Sequence, residues 1–195
     1  MILGITGPTG SGKTTLLGMI EQAGGLILDC DAIYHDLLTT DQDLLSAIEN
    51  RFAGVVKDGQ LDRKALGAVV FANAQALQDL NRITHTAVKN QVLRRLESKP
   101  SLAAIDAIGL FEGNLHSLCN VTVAVVAPAE MRVARLMARD GITEEYARKR
   151  ISAQHPQNWY CERCDYTLTN DSTADAFACK CLAFLAELGI MKEKM

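Results

Sequence analysis

The chain has 195 residues, 48% of them hydrophobic, and a net charge of −3. That length suits one domain, that composition can fill a core, and that charge carries no basic footprint for nucleic acid. No apolar run reaches the roughly 18 residues of a membrane span, and the start, MILGITG, lacks the basic region and cleavage site of a signal peptide, so a cytoplasmic protein with reduced thiols is expected.

In chain order, residues 2–6 form a short β-branched run closed by Gly7-Pro8, which predicts a strand. From Lys13 the spacing is helical and stops at Gly24-Gly25. Residues 26–28 predict a second strand closed by Asp29, with Asp31 placed to cap the following helix. Residues 41–98 read as helices with no strand of their own. Asp41, Asp62 and Asn73 precede the helical patterns, the turn Lys57-Asp58-Gly59 separates the first two, and Pro100 ends the block. Residues 102–108 form a third apolar run, and 121–127, VTVAVVA, has the continuous hydrophobicity of a central parallel strand. Helices are expected over 129–139 and 143–153, a last strand over 166–168 and a last helix over 173–189. Strands alternating with helices predict an α/β fold with a parallel sheet.

Gly7-Pro8-Thr9-Gly10-Ser11-Gly12-Lys13-Thr14 fits G-x-x-x-x-G-K-[ST], between a predicted strand and a predicted helix, which is the context the motif demands. Glycines let the backbone curl so that N–H groups point inward at phosphate oxygens. The helix start adds its positive dipole end. Lys13 suits the β- and γ-phosphates and the Thr14 hydroxyl suits Mg²⁺. Gly7, Thr9, Gly10, Ser11, Gly12, Lys13, Thr14 and Thr15 are therefore the expected ATP-binding segment. A GTPase is expected to carry a D-x-x-G switch and an N-K-x-D guanine signature, and neither is read in the chain, while a large motor or transporter ATPase needs more chain. The short chain, its helical block and the Arg-rich helices late in the sequence suggest a small-molecule kinase, with a three-layer P-loop NTPase fold, a five-stranded parallel sheet, a helical substrate-binding insertion and a lid.

Cys161 and Cys164 form C-x-x-C, and Cys179 and Cys181 form C-x-C. Four thiolates suit zinc, but AFACKCLAFLAEL reads as an apolar helix in which small cysteines are buried.

Further segments resemble the dephospho-CoA kinases, which phosphorylate the ribose 3′-hydroxyl of dephospho-CoA in the last step of coenzyme A synthesis. Asp29-Cys30-Asp31 is similar to the family's D-x-D, and Leu61 to Leu66 with Val70-Phe71 to its L-x-R-x-x-L…F. Leu80 to His85 resembles L-x-x-I-x-H-P, and Asp106 to Glu112 resembles D-x-P-L-L-F-E. Arg135 to Asp140 resembles R-L-x-x-R-[DN], Arg150 to Gln154 resembles R-I-x-x-Q, and Asp165-Tyr166…Asn170 resembles D-Y-x-I-x-N. The likeness runs over residues 1–171. Departures are Thr86 and Ile108 where the family has proline, Gly109 for a leucine, Pro8-Thr9 in the loop, and a lid segment, NWYCERC, of low positive charge.

The resemblance implies a core of about 1–40 and 101–195, a CoA-side insertion of about 41–100 and a lid of about 141–162. It implies that Asp31 accepts the proton of the attacking hydroxyl, with Asp29 as a supporting neighbour. Asp106 is a candidate for Mg²⁺ or a strand-end cap, and Glu112 for the substrate side. Arg139, with Arg135, is expected at the transferring phosphate, Arg135 equally as a structural residue, while Arg148 and Arg150 belong to the lid; a solvated basic face is the alternative. Arg63, His85 and Lys89 are the acceptor-side candidates, the last two sharing a helix face at i, i+4. Asn170 either holds the adenine or ends the last strand. The implied ligands are ATP, Mg²⁺ and dephospho-CoA, without nucleic acid or membrane. The alternatives are another small-molecule or nucleoside kinase, a tRNA prenyl transferase, whose loop GPTGSGKT also resembles, and a nucleotide-binding regulator without catalysis.

Overall fold

The computed structural model describes residues 1–191. The chain runs β1 (Ile2–Thr6), α1 (Lys13–Gln22), β2 (Leu26–Asp29), α2 (Cys30–Thr40) and α3 (Gln42–Arg51). A hairpin of β3 (Val56–Lys57) and β4 (Gln60–Leu61) precedes α4 (Arg63–Val70) and the long α5 (Ala74–Leu96). Next come β5 (Ala103–Asp106), a 3₁₀ turn (His116–Leu118), β6 (Val121–Val126), α6 (Ala129–Asp140), α7 (Glu144–Ser152), α8 (Gln157–Cys161), β7 (Tyr166–Thr169) and α9 (Ala174–Glu187). The chain forms two compact units. One holds residues 1–28, 100–110 and the described residues from 115 on; the other holds 29–99 and 111–114.

The larger unit is built on a five-stranded parallel sheet of order β2-β5-β1-β6-β7. Alternation decides which side chains go where, because successive residues of a strand point to opposite faces. Leu3 and Ile5 of β1 and Val123 and Val125 of β6 are fully buried on one face, against Leu16 and Ile20 of α1 and Phe177, Cys181 and Leu185 of α9. Burying each such aliphatic side chain contributes about 1.5–3 kcal/mol. Ala124 and Val126 point to the opposite face and pack with Tyr160 and Trp159 of α8. Helices on both faces make three layers, as expected. Gly4 is small for a local reason: a Cβ there would approach Cys119 Sγ to 2.7 Å and Leu110 Cδ2 to 2.9 Å. Beside the sheet, α6 and α7 join through Val133, Leu136 and Ala147. The start of β6 is tied to the start of β7 by Asp165, whose carboxylate accepts from Thr122 N at 2.8 Å and Thr122 Oγ1 at 2.7 Å.

The smaller unit packs α2, α3 and α4 on α5. Leu37, Leu44, Ile48, Leu66, Leu80, Val88 and Val92 are buried in it. Asp41, Asp62 and Asn73 cap α3, α4 and α5 by accepting backbone N–H groups, as their positions imply. The unit begins at Asp29, ahead of the insertion boundary read at 41, because α2 packs on α3 and α5.

Two local readings need correction. The block 41–98 is not free of strands: Asp58 (φ 51°) and Gly59 (φ 75°) form the two-residue turn of the β3–β4 hairpin, since two left-handed residues match strand twist. Two-residue strands are too short to display alternation. The cap of α2 is Asp29, not Asp31: its carboxylate accepts from Asp31 N at 2.9 Å and Ala32 N at 3.0 Å. Helix α8 lies in a stretch whose short length hid its periodicity. Among the described residues no helix is long and apolar enough to cross a membrane.

Candidate active site

The loop between β1 and α1 is shaped by its glycines. Gly7 has φ 132° and Gly12 φ 101°, a region that disfavours any side chain. A Cβ on Gly7 would collide with the Val125 carbonyl oxygen, and one on Gly12 with Asn170 Nδ2. No side chain caps the N-terminus of α1, so the positive helix end is left for an anion. Lys13 Nζ donates to Gly7 O at 3.0 Å, which folds the ammonium back along the loop. Thr14 is exposed in the first turn of α1, Thr15 is half-buried and Ser11 is buried.

A second tier of residues holds this loop from behind. Asn170, just past β7 and 5% exposed, donates to Ser11 O at 2.9 Å and accepts from Arg135 at 2.9 Å. Each end of its amide thus holds one bond, to the loop and to its arginine. The Arg135 guanidinium also donates to Gly10 O at 3.2 Å. Arg132 Nε donates to Thr9 O at 2.9 Å, and its fork reaches Gln154 Oε1 at 3.3 Å. Gln154 Oε1 in turn accepts from Thr9 N at 2.9 Å. Arg132 and Gln154 were given no role from the sequence. Their signal was present: Arg132 lies on the same stripe of α6 as Leu136, four residues on, and a charge on an apolar stripe needs a reason.

The remaining arginines of α6 and α7 hold carboxylates. Arg139 Nε donates to Asp140 Oδ1 at 2.6 Å, and Arg150 reaches Asp140 Oδ2 at 2.6 Å. The hydrogen bond from Arg139, then that from Arg150, holds the Asp140 carboxyl down at about 2. Arg148 takes Glu130 in a fork of 2.9 and 2.7 Å and Glu144 at 2.8 Å, which raises its own pKa. Arg139 lies in the last turn of α6, one turn beyond the arginine that touches the loop.

Asp106 is the last residue of β5, paired in register with Ile5 of β1, so it stands at the carboxyl edge of the sheet next to the strand that feeds the loop. Its strand position, which the sequence left open, is thereby fixed. The segment Asp106-Ala107-Ile108-Gly109 also reads D-x-x-G, a pattern missed in the sequence. Thr6 Oγ1 donates to Ile108 O at 3.1 Å, holding this segment against β1.

In the smaller unit Asp31 sits in the first turn of α2 with an exposed carboxylate. Arg63 opens α4 and its charge acts on the Tyr34 phenol, whose pKa is raised by burial and lowered in part by Arg63. His85 and Lys89 lie one turn apart on α5. Lys89 Nζ donates to Asn114 O at 2.7 Å, which brings the segment 111–114, with its exposed Glu112, to that helix.

All six cysteines are free thiols. Among the described residues no three His, Cys, Asp or Glu side chains are grouped to hold a metal ion. Burial pushes the Cys119 thiol up to about 12 and the Cys164 and Cys181 thiols up to about 11.

A protein-family model described as dephospho-CoA kinase matches residues 1–176. A dephospho-CoA kinase of Latilactobacillus sakei is 34% identical over 178 residues, spanning 89% of this chain and 88% of that one. A crystal structure from Thermus thermophilus is 32% identical with a TM-score of 0.81, covering 96% of this chain and 97% of that one. The dephospho-CoA kinase of Campylobacter jejuni, at 23% identity and a TM-score of 0.68 over 97% and 98% of the chains, shares the fold.

Proposed function

The chain belongs to the dephospho-CoA kinase family, and from that premise we propose how its residues divide the transfer of a phosphoryl group from ATP to the ribose 3′-hydroxyl of dephospho-CoA. The activity is a phosphotransferase reaction with an alcohol as acceptor, the last step of coenzyme A synthesis. The observation that carries the assignment is the family match, which spans both the glycine-rich loop and the helical unit.

The phosphates of ATP are held by the backbone N–H groups of Gly7 to Thr14 and by the uncapped start of α1. Lys13 leaves the Gly7 carbonyl and neutralises the β- and γ-phosphates. The Thr14 hydroxyl and the Asp106 carboxylate are hard oxygen donors at the loop and at the adjacent strand end, a set that fits Mg²⁺. When bound with ATP, Mg²⁺ supplies charge neutralisation of the phosphoryl oxygens. Asp31 accepts the hydroxyl proton; an exposed carboxylate in the first turn of α2, where the backbone cap is already supplied by Asp29, is free to do so. Arg63, His85, Lys89 and Glu112 bind the acceptor. Arg139, Arg148 and Arg150 exchange their carboxylates for phosphate as the lid of 141–162 closes and excludes water. We place the reaction in the cytoplasm, where ATP is abundant and the six free thiols stay reduced.

The test is ADP release from Mg-ATP with dephospho-CoA, AMP, CMP, adenosine or no acceptor, the product identified by mass. Turnover with dephospho-CoA alone is expected. Equal turnover with a nucleoside would move the protein to the nucleoside kinases. Asp31→Ala is expected to bind ATP normally and lose turnover; full turnover would remove Asp31 from the chemistry.

A further inference from the structure

Arg132 is a guanidinium that the phosphotransfer scheme does not use. It is 4% exposed, yet it makes no ion pair with a carboxylate among the described residues. Its two hydrogen bonds go to neutral acceptors, Thr9 O and Gln154 Oε1. The charge stays on, because arginine does not deprotonate in proteins, although burial lowers its pKa. Arg135, three residues on, repeats the arrangement on Gly10 O and Asn170 Oδ1. By contrast, Arg139 of the same helix and Arg148 and Arg150 of α7 all hold carboxylates.

A buried cation without a counter-ion is costly in a folded protein. Here it is placed immediately behind the phosphate loop. The backbone of Arg132 is so close to Gly10 that a Cβ there would come within 3.1 Å of Arg132 O and 3.3 Å of its Cα. The guanidinium, its Nε 2.9 Å from Thr9 O, lies against that same loop, one loop thickness from an anion bound on the other side.

We infer that Arg132 is a nucleotide-affinity residue whose counter-ion is the polyphosphate of ATP, acting through the loop without touching the ligand. The inference rests on the reading of residues 7–14 as the phosphate site. It makes Arg132 a positioning residue with two effects. It holds Thr9 O, and it adds fixed positive charge beneath the phosphates. The protein without nucleotide bears an unpaired charge that nucleotide binding relieves. Loss of that charge, acting across one loop thickness at an effective dielectric of about 20, weakens ATP binding by roughly tenfold.

The experiment compares wild type with Arg132→Gln, Arg132→Lys and Arg132→Met. It reads Mg-ATP affinity by calorimetry and by fluorescence of Trp159, the single tryptophan. Melting with and without Mg-ATP and KM for each substrate complete the set. Arg132→Gln is expected to melt at or above wild type without nucleotide, to gain less from ATP, and to bind ATP about tenfold more weakly. KM for dephospho-CoA should not move. Arg132→Lys, which keeps the charge, should hold ATP within about threefold of wild type, and Arg132→Met should behave like Arg132→Gln. Wild-type ATP affinity in Arg132→Gln overturns the inference. So does a lower melting point with an undiminished gain from ATP, the mark of a packing residue only. If wild type itself binds no ATP, the reading of the loop fails first, and the two failures are told apart.

Discussion

Replacing Asn170 by alanine separates two roles that the sequence left open. The side chain is buried and makes two hydrogen bonds, 2.9 Å to Ser11 O and 2.9 Å from the Arg135 guanidinium. A hydrogen bond to a charged group is worth about 1.5–3 kcal/mol and a neutral one about 1 kcal/mol. Ser11 O keeps a long contact of 3.4 Å from Arg135, which softens the loss. The expected cost of Asn170→Ala is about 3 kcal/mol, and a chain of this size loses about 2–4 °C of melting temperature per kcal/mol, so a fall of about 9 °C follows. The loop is left without its brace, so KM for ATP should rise while KM for dephospho-CoA holds. Thermal melting and steady-state kinetics with ATP and GTP decide the matter. A brace lowers stability and ATP affinity but leaves the preference for ATP over GTP intact. A melting point within about 1 °C of wild type, together with lost preference for ATP, would refute the reasoning and return Asn170 to the base. Asn170→Asp adds a control: it keeps an acceptor for Arg135 but turns a carboxylate toward Ser11 O, so it should still weaken ATP binding.

Gly12→Ala should lower kcat/KM for ATP by at least about tenfold, because the residue combines φ 101° with a Cβ position already occupied by Asn170 Nδ2; wild-type kinetics would show that the loop accommodates the methyl group. The Asp140 carboxyl lies below its ordinary 3.8, at about 2, so the contribution of its arginine pairs is complete above pH 3.8 and lost as pH falls through about 2. Carboxyl NMR titration should find that low midpoint, and Arg139→Ala and Arg150→Ala should each raise it. With a thiol reagent at pH 8, exposed Cys179 should react first, half-buried Cys119 and Cys164 much later, and buried Cys181 only with denaturant, their thiols being shifted up to about 12, 11 and 11. Immediate reaction of all six would contradict the packing around Gly4 and α9.

Local features were legible in the sequence because neighbouring residues alone dictate them. The phosphate loop is one contiguous segment whose glycines and lysine carry their geometry with them. The strand Val121–Val126 announces itself by an apolar run broken only by Thr122, since both of its faces are covered. Asp41, Asp62 and Asn73 mark helix starts because a cap bonds backbone only two or three residues away. The same local rule misplaced the cap of α2, where Asp29 and Asp31 are both suitable and only the path of the chain leaving β2 chooses between them. Short elements escaped for want of length: β3, β4 and α8 have too few residues to show a period.

The support of the loop was beyond the sequence for a different reason. Arg132, Arg135, Gln154 and Asn170 act on Thr9, Gly10 and Ser11 from more than a hundred positions away along the chain. Five arginines on α6 and α7 have the same composition and similar spacing, yet two hold loop carbonyls and three hold carboxylates. Helix rotation and the parallel stacking of β1, β6 and β7 decide which is which, because a side chain's partner is set by the direction in which packing points it.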